Sequence, residues 1–121
     1  MSKVALVVDD SMIIRKLVCK TLSALGFETV EAPDGIAGLE AATGKELAVV
    51  ITDYNMPRMN GLELTKGLRA VPGHEFTPIV FLTTEMDPVL RTEARLAGVT
   101  AWIVKPFQPE KVIEVVQKVA A

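Results

Sequence analysis

Cysteine and histidine are almost absent from this sequence, which has one residue of each, Cys19 and His74. A lone cysteine cannot form an internal disulfide, and within a helical pattern Cys19 is best interpreted as a small packing residue. His74 lies among turn residues without a cluster of other metal ligands, so we expect a solvated loop residue. The sequence therefore excludes the cysteine and histidine clusters that bind zinc.

Long apolar runs and an excess of positive charge are also missing. No stretch of about 18 consecutive apolar residues occurs and the N-terminus has no cleavage-site pattern, which predicts a cytoplasmic protein. The formal net charge of -2 provides no positive field, so we expect neither nucleic acid nor a membrane as a direct partner.

The chain is rich in hydrophobic residues, which make up 50% of it, while charged residues make up 23%. This balance is typical of a globular protein with a sizeable core. A length of 121 residues suits one domain and is too short for two. We therefore predict a single domain over residues 1–121, without a separate output domain.

Five strand-like segments alternate with five segments of helical periodicity. Val4–Val8 and residues 47–51 are continuous apolar runs typical of strands buried on both faces, whereas Glu28–Ala32 is more polar and suits a sheet edge. The other strands are predicted at residues 78–82 and 100–104. This alternation predicts an α/β fold, a doubly wound parallel sheet with helices on both faces. The order 2-1-3-4-5 would place the two apolar strands side by side, where the winding reverses and such sheets bind ligands.

Polar caps and glycines delimit the predicted helices. The first four helices each follow a candidate N-cap, and the fifth begins near Pro109; the caps are Ser11, Asp34, Asn60 and Asp87. In the first helix Arg15, Lys16 and Lys20 fall on the side away from the apolar stripe. We therefore expect an amphipathic helix that lies on the sheet and exposes these three cations.

The first, third, fourth and fifth predicted strands are each followed by a polar or charged side chain. These residues are Asp9, Asp10, Asp53, Thr83 and Lys105. Because parallel strands end at one edge of the sheet, we expect the five side chains to converge. Two carboxylates about 4 Å apart repel by about 4 kcal/mol at a dielectric constant near 20, so three acids call for a cation. Oxygen donors without cysteine or histidine favour Mg²⁺.

Such a site suits phosphoryl transfer to Asp53. Lys105 and Mg²⁺ would neutralise the phosphoryl oxygens, and the Thr83 hydroxyl would donate to one of them. The alternatives are that Asp53 only accepts hydrogen bonds in its turn and that Lys105 is a surface lysine. Asn55 occupies the position at which aspartyl-phosphate phosphatases of the haloacid dehalogenase type carry an acid-base aspartate. Since an amide cannot transfer protons, the phosphoryl group should persist, which favours a switch over a phosphatase.

These motifs resemble those of the receiver domains of two-component response regulators, and among them the single-domain chemotaxis regulators. The resemblance covers essentially the whole chain and rests on the Asp9-Asp10 pair, Asp53 with the Asn55-Met56-Pro57 segment, Thr83 and Lys105-Pro106. It implies a flavodoxin-like (βα)5 fold. The strand order 2-1-3-4-5 is the known order of this family, so that prediction is partly inherited from the resemblance.

The resemblance implies a phosphoacceptor and a metal site. Asp53 would be the phosphoacceptor. Mg²⁺ would be bound by Asp10, Asp53 and the backbone carbonyl of Asn55, and Asp9 would assist through a water molecule.

It also implies roles for the residues around the phosphoryl group. Thr83 and Lys105 would contact that group, and the Lys105-Pro106 peptide bond is expected to be cis. Asn55 and Glu85 would tune dephosphorylation, although Glu85 could equally be a solvated loop acid.

Two residues depart from the family pattern. Thr84 follows Thr83 where the family usually has a small residue, and its bulk would narrow access to the phosphoryl group. The mobile aromatic residue of the fifth strand is commonly Tyr or Phe, and here it is Trp102. We expect Trp102 to be partly exposed at rest and to act with Thr83 in the switch; the alternative is a packing residue.

By the same resemblance, the protein would be a monomeric phosphoacceptor switch that catalyses only its own phosphorylation and dephosphorylation. A CheA-like histidine kinase would be the phosphodonor. A flagellar motor switch protein or a phosphatase would bind the surface of the fourth helix, fifth strand and fifth helix. Alternatives are a phosphate sink or relay without a motor target, a phosphatase, which Asn55 disfavours, and an inert module, which the intact acid, threonine and lysine set disfavours.

Overall fold

The computed structural model describes residues 3–120, in which five strands alternate with five helices. The strands are β1 (Val4–Val8), β2 (Glu28–Ala32), β3 (Val49–Thr52), β4 (Ile79–Thr83) and β5 (Ala101–Val104). The helices are α1 (Met12–Ala24), α2 (Gly35–Ala42), α3 (Gly61–Arg69), α4 (Pro88–Ala97) and α5 (Pro109–Val119). The predicted α/β alternation is confirmed.

The five strands form one parallel sheet in the order β2-β1-β3-β4-β5, as predicted. The more polar β2 lies at an edge, and the apolar β1 and β3 are neighbours. Val8 of β1 pairs with Thr52 of β3, which pairs with Phe81 of β4. These strands therefore end nearly level, so the residues that follow them meet at one edge of the sheet.

Two apolar clusters cover the two faces of the sheet, because successive strand residues point to opposite sides. One cluster packs strand residues against α2, α3 and α4; its largest members include Leu6, Ile79, Phe81, Leu64 and Leu68. The other packs strand residues against α1 and α5, and includes Ile51, Leu82, Leu22, Val112 and Val116. Each fully buried side chain of this size contributes roughly 1.5–3 kcal/mol. Among residues 3–120, every helix is too short or too polar to cross a membrane.

Local signals set the helix starts as predicted, while the predicted starts of β3, β4 and β5 were one or two residues too early. The side chains of Ser11, Asp34, Asn60 and Asp87 each accept a hydrogen bond from a backbone amide in the first turn of α1 to α4. Pro109 begins α5. β3 starts at Val49 rather than at residue 47, since Leu47 is buried in the core without belonging to the strand. Cys19 is buried, as expected for a packing residue.

His74 is buried, so the expectation of a solvated loop residue was wrong. Its Nε2 lies 2.7 Å from the carbonyl oxygen of Ala42, and its Nδ1 lies 3.0 Å from Oγ1 of Thr77. A carbonyl oxygen can only accept, so Nε2 carries the proton, and in the neutral ring Nδ1 accepts from the Thr77 hydroxyl. The imidazole thus connects the end of α2 to the loop before β4.

This arrangement predicts that His74→Leu destabilises the fold. Leucine leaves the Thr77 hydroxyl without its partner and removes one hydrogen bond from the Ala42 carbonyl. We expect the free energy of unfolding to fall by about 1–3 kcal/mol in urea denaturation. Phe76→Ala, two residues away at a side chain that is 94% exposed, serves as the control and should change it by less than about 0.5 kcal/mol. Equal stability of His74→Leu and the parent protein would contradict the structural role.

Candidate functional site

Three carboxylates converge at the carboxyl edge of the sheet, as the sequence predicted. One oxygen from each of Asp9, Asp10 and Asp53 lies within 4.8 Å of the others. Asp9 and Asp53 are buried, and Asp10 is exposed. The cluster is therefore open to solvent on the Asp10 side and enclosed by protein on the other.

Lys105 lies between the two buried acids. Its Nζ is 2.8 Å from Oδ2 of Asp9 and 2.9 Å from Oδ2 of Asp53. The backbone amide of Lys105 donates to the carbonyl of Thr83 at 2.9 Å, which aligns the residue beyond the end of β5. Its side chain is only 13% exposed, so it is not a surface lysine. The Lys105-Pro106 peptide bond is cis, as expected.

Burial and ion pairing shift the pKa values of Asp9 and Lys105 in opposite directions. Burial raises the pKa of Asp9 above its ordinary value, because it outweighs the hydrogen bonds from Lys105 and from the Ser11 amide. For Lys105, burial alone would lower the pKa, but the hydrogen bonds and charges of Asp9 and Asp53 together raise it. Lys105 therefore stays protonated, yet one ammonium group faces three carboxylates. The remaining negative charge and the oxygen donors suit a hard cation.

The two oxygens of Asp53 have different surroundings. Oδ1 accepts the amides of Tyr54 at 2.6 Å and Asn55 at 3.3 Å, while Oδ2 faces Lys105. Hydrogen bonding in the turn, the alternative role for this residue, thus occupies one oxygen only. A Cβ on Gly61 would overlap the carbonyl oxygen of Asp53, so the start of α3 approaches this turn at a distance that only glycine allows.

The last residue of β4 and the residues that follow it lie at the same edge of the sheet as the acids. Thr83 is fully buried, and its Oγ1 accepts the amide of Glu85 at 3.2 Å. In the described part of the chain the Thr83 hydroxyl makes no hydrogen bond to the three acids. Thr84 and Asn55 are exposed, and Glu85 is partly buried. The structure thus places the predicted residues near one edge of the sheet. Among residues 3–120, the contacts between their side chains join Lys105 to Asp9 and Asp53.

Trp102 of β5 is partly exposed, as expected. Its ring lies 5.3 Å from that of Phe81, and the guanidinium carbon of Arg91 lies 5.5 Å from the ring centroid, a cation-π distance. The indole Nε1 is buried and has no acceptor among the described residues. Beside the ring is a cavity of about 470 Å³ between α4 and β5, to which Arg91 and Arg95 contribute.

Comparison with known proteins identifies the family. Residues 5–117 match the response regulator receiver domain. The chain belongs to this receiver domain family. It is 44% identical to a chemotaxis protein CheY homolog of Campylobacter jejuni, over 94% of this chain and 89% of that protein. CheY1 of Helicobacter pylori is 45% identical, over 87% of this chain and 86% of that protein.

The receiver domain fold is equally clear. The structure of CheY4 from Vibrio cholerae, 41% identical, superimposes with a TM-score of 0.94 and covers 98% of this chain and 99% of its own. These similarities confirm both the resemblance drawn from the motifs and the flavodoxin-like fold. The protein is a CheY-like receiver domain of the chemotaxis type.

Arg15 is a residue of this receiver domain that the sequence analysis misplaced. It was expected on the exposed side of α1, but its Nη1 donates to the carbonyl of Asp9 at 2.7 Å and its Nε to Glu31 at 3.1 Å. Lys16 also donates to Glu31, at 2.7 Å. The cause is the reach of the side chain: a cation one turn into α1 can fold back onto the β1–α1 turn. Its position four residues after the cap Ser11 was the available signal.

At Asp9, burial raises the pKa more than the hydrogen bonds from Lys105 and Ser11 lower it, which yields a prediction for the metal-free receiver domain. A carboxyl with a raised pKa binds its proton more tightly in the folded protein, so its stabilising contribution is present below the ordinary pKa and is lost as the pH rises. Asp9→Asn should therefore raise the free energy of unfolding at pH 7, by about 1 kcal/mol. The difference from the parent protein should shrink toward pH 3.

Urea denaturation in the presence of a chelator measures this effect. Asp87→Asn changes the same charge at an exposed helix cap and keeps a capping oxygen, so it should leave stability nearly unchanged. If Asp9→Asn were less stable than the parent protein at pH 7, pairing with Lys105 would outweigh burial and the argument would fail.

Proposed function

We propose that this receiver domain is a phosphorylation switch in which Asp53 accepts a phosphoryl group from the phosphohistidine of a CheA-like histidine kinase. The observation that supports it most directly is the position of Asp53 Oδ2, 2.9 Å from Lys105 Nζ and inside a cluster of acids. The chemotaxis relatives described above support the same role. The switch would act in the cytoplasm as a monomer, with the whole chain, residues 1–121, forming one domain.

Magnesium is the cation that fits the donor set. The three carboxylates offer oxygens within 4.8 Å of one another, and the exposed Asp10 leaves room for the waters that Mg²⁺ retains. Asp10, Asp53 and the backbone carbonyl of Asn55 would hold the ion, and Asp9 would assist through water. When bound, Mg²⁺ supplies positive charge to the phosphoryl oxygens.

The side chains of the chain itself would perform the transfer. Asp53 Oδ2 would form the new oxygen–phosphorus bond as the phosphorus–nitrogen bond of the phosphohistidine breaks. Lys105 would keep its contact with Asp9 and donate to a phosphoryl oxygen in place of Asp53. Thr83 uses its oxygen to accept the Glu85 amide, so its hydroxyl proton is free to be donated to another phosphoryl oxygen.

Asn55 and Glu85 would then set how long the phosphoryl group lasts. The Asn55 side chain is exposed beside Asp53 and has no acid or base function. Hydrolysis would therefore rely on water without a dedicated general base. This supports a switch that catalyses only its own phosphorylation and dephosphorylation over a phosphatase that acts on other substrates.

The surface of α4, β5 and α5 would transmit the signal, to a flagellar motor switch protein or a phosphatase. The cavity of about 470 Å³ beside Trp102 is part of this surface. Neither Arg91 nor Arg95 forms a salt bridge within residues 3–120, and the indole N–H has no acceptor there. These unused donors favour a partner that presents carboxylate or carbonyl oxygens.

The first test concerns Asp53. Asp53→Asn keeps a side chain of the same shape but removes the nucleophilic carboxylate, so labelling by radioactive acetyl phosphate should fall to background. Chelation of divalent ions should have the same effect on the parent protein. Asp87→Asn is the matched control and should label normally. Labelling that survives Asp53→Asn, or that proceeds equally in chelator, would contradict the assignment.

The second test concerns Trp102, which is the only tryptophan in the chain, so intrinsic fluorescence reports on it alone. We expect the emission spectrum with Mg²⁺ and beryllium fluoride to differ from the spectrum with Mg²⁺ alone. Asp53→Asn should show no such difference. Identical spectra of the parent protein, with binding confirmed independently, would leave Trp102 as a packing residue.

A further inference from the structure

Arg58 has an unusual backbone conformation. It lies in the loop between β3 and α3, residues 53–60, and among residues 3–120 it is the only non-glycine residue with a positive φ, 67°. A left-handed conformation is unfavourable for a residue with a Cβ, so it persists only where other contacts hold it. The contacts of Arg58 should therefore reveal what this conformation serves.

The Arg58 side chain forms an ion pair with Asp34. Its Nη2 donates to Oδ2 of Asp34, while Oδ1 of the same carboxylate accepts the amide of Ala37 at 2.9 Å and caps α2. Asp34 is buried, and the pKa of its carboxyl is lowered by the Ala37 amide and by Arg58. One carboxylate therefore serves both the start of α2 and the loop, through different oxygens.

A second contact joins the same two segments. A Cβ on Gly35, the residue after Asp34, would lie 2.5 Å from the carbonyl oxygen of Met59. The Met59 amide in turn donates to the carbonyl of Pro57 at 2.7 Å, which closes a tight turn around Arg58. Backbone packing and an ion pair thus hold the loop against the start of α2.

The other end of this loop holds the phosphoacceptor. The amides of Tyr54 and Asn55 donate to Asp53 Oδ1, and the amide of Gly61 donates to the carbonyl of Tyr54 at 2.8 Å. The position of the loop therefore helps to set the orientation of the Asp53 carboxylate and the place of the Asn55 carbonyl.

We propose that Arg58 and Asp34 are positioning residues: their ion pair fixes the β3–α3 loop and thereby orients Asp53 and the Asn55 carbonyl for the bound cation. The part that concerns the cation rests on the proposed function. The part that concerns the loop stands on the contacts alone, and the two can be measured separately.

Two substitutions break the ion pair while keeping the helix cap at residue 34 and the left-handed backbone at residue 58. Asp34→Asn keeps an oxygen for the Ala37 amide, since asparagine caps helices as well as aspartate does. Arg58→Asn removes the guanidinium and retains a residue type that tolerates the left-handed region. The double variant tests whether both act through the same contact.

The two changes shift the net charge in opposite directions, which separates positioning from electrostatics. Through charge alone, Asp34→Asn would weaken Mg²⁺ binding and Arg58→Asn would strengthen it. Positioning predicts that both weaken it, by about tenfold, the lower end of the range for residues that support metal ligands. The double variant should bind no more weakly than the weaker single variant. Tighter Mg²⁺ binding by Arg58→Asn would overturn the proposal.

Amide hydrogen exchange of the metal-free protein tests the loop directly. We expect the amides of Asn55, Met59 and Gly61 to exchange several-fold faster in both single variants, as in other locally loosened segments. Glu114→Gln and Lys111→Gln break an exposed ion pair on α5 with the same charge changes, and should leave these amides unaffected.

The exchange result also separates this proposal from the proposed function. Unchanged exchange in both variants would overturn the positioning role. Faster exchange in a protein whose parent form fails to bind Mg²⁺ would support the positioning role and reject the metal site instead.

Discussion

The contact on which the rest of the structure depends is Lys105 between Asp9 and Asp53. Its Nζ reaches acids that are 96 and 52 residues away in sequence, at 2.8 and 2.9 Å. The parallel sheet brings these strand ends to one edge, and its order β2-β1-β3-β4-β5 makes β1 and β3 neighbours. Buried carboxylates without a cation would each carry an unfavourable desolvation energy. Lys105 thus offsets part of the desolvation energy of the buried acids, and the fold places it between them.

The acid cluster remains locally destabilising, and the apolar core offsets this cost. Burial raises the pKa of Asp9, so the charged form is less favourable there than in the unfolded chain. The apolar clusters on both faces of the sheet stabilise the strands that end at these acids. This separation of roles, with stability inside the sheet and function at its edge, allows unfavourable charges to be held in place without unfolding the domain.

The sheet and the acid cluster were predictable because local patterns encode them. Continuous apolar runs mark buried strands, and Asp53 lies two residues after such a run. Its place at the edge of the sheet could therefore be predicted without knowing which residues it contacts. The missed features depend on distant contacts. His74 bonds a carbonyl 32 residues away, Arg58 pairs with Asp34 across 24 residues, and Arg15 turns back onto a strand end. Neither periodicity nor composition records where a long or amphipathic side chain finds its partner.

The paired strands β4 and β5 connect the acid cluster to Trp102. The Lys105 amide donates to the Thr83 carbonyl, and two residues earlier along the strands Phe81 is paired with Trp102, their rings 5.3 Å apart. Thr83 and Phe81 point to the same face of β4, because residues two apart in a strand do so. A movement of Thr83 toward a phosphoryl oxygen would therefore occur beside Phe81, whose ring packs against the indole of Trp102. The Trp102 N–H has no acceptor among residues 3–120, and a buried donor without an acceptor costs about 1–3 kcal/mol, so gaining an acceptor would contribute a comparable amount to another conformer. In the proposed switch, a shift of Thr83 would change the surroundings of the indole and so alter the balance between conformers of Trp102.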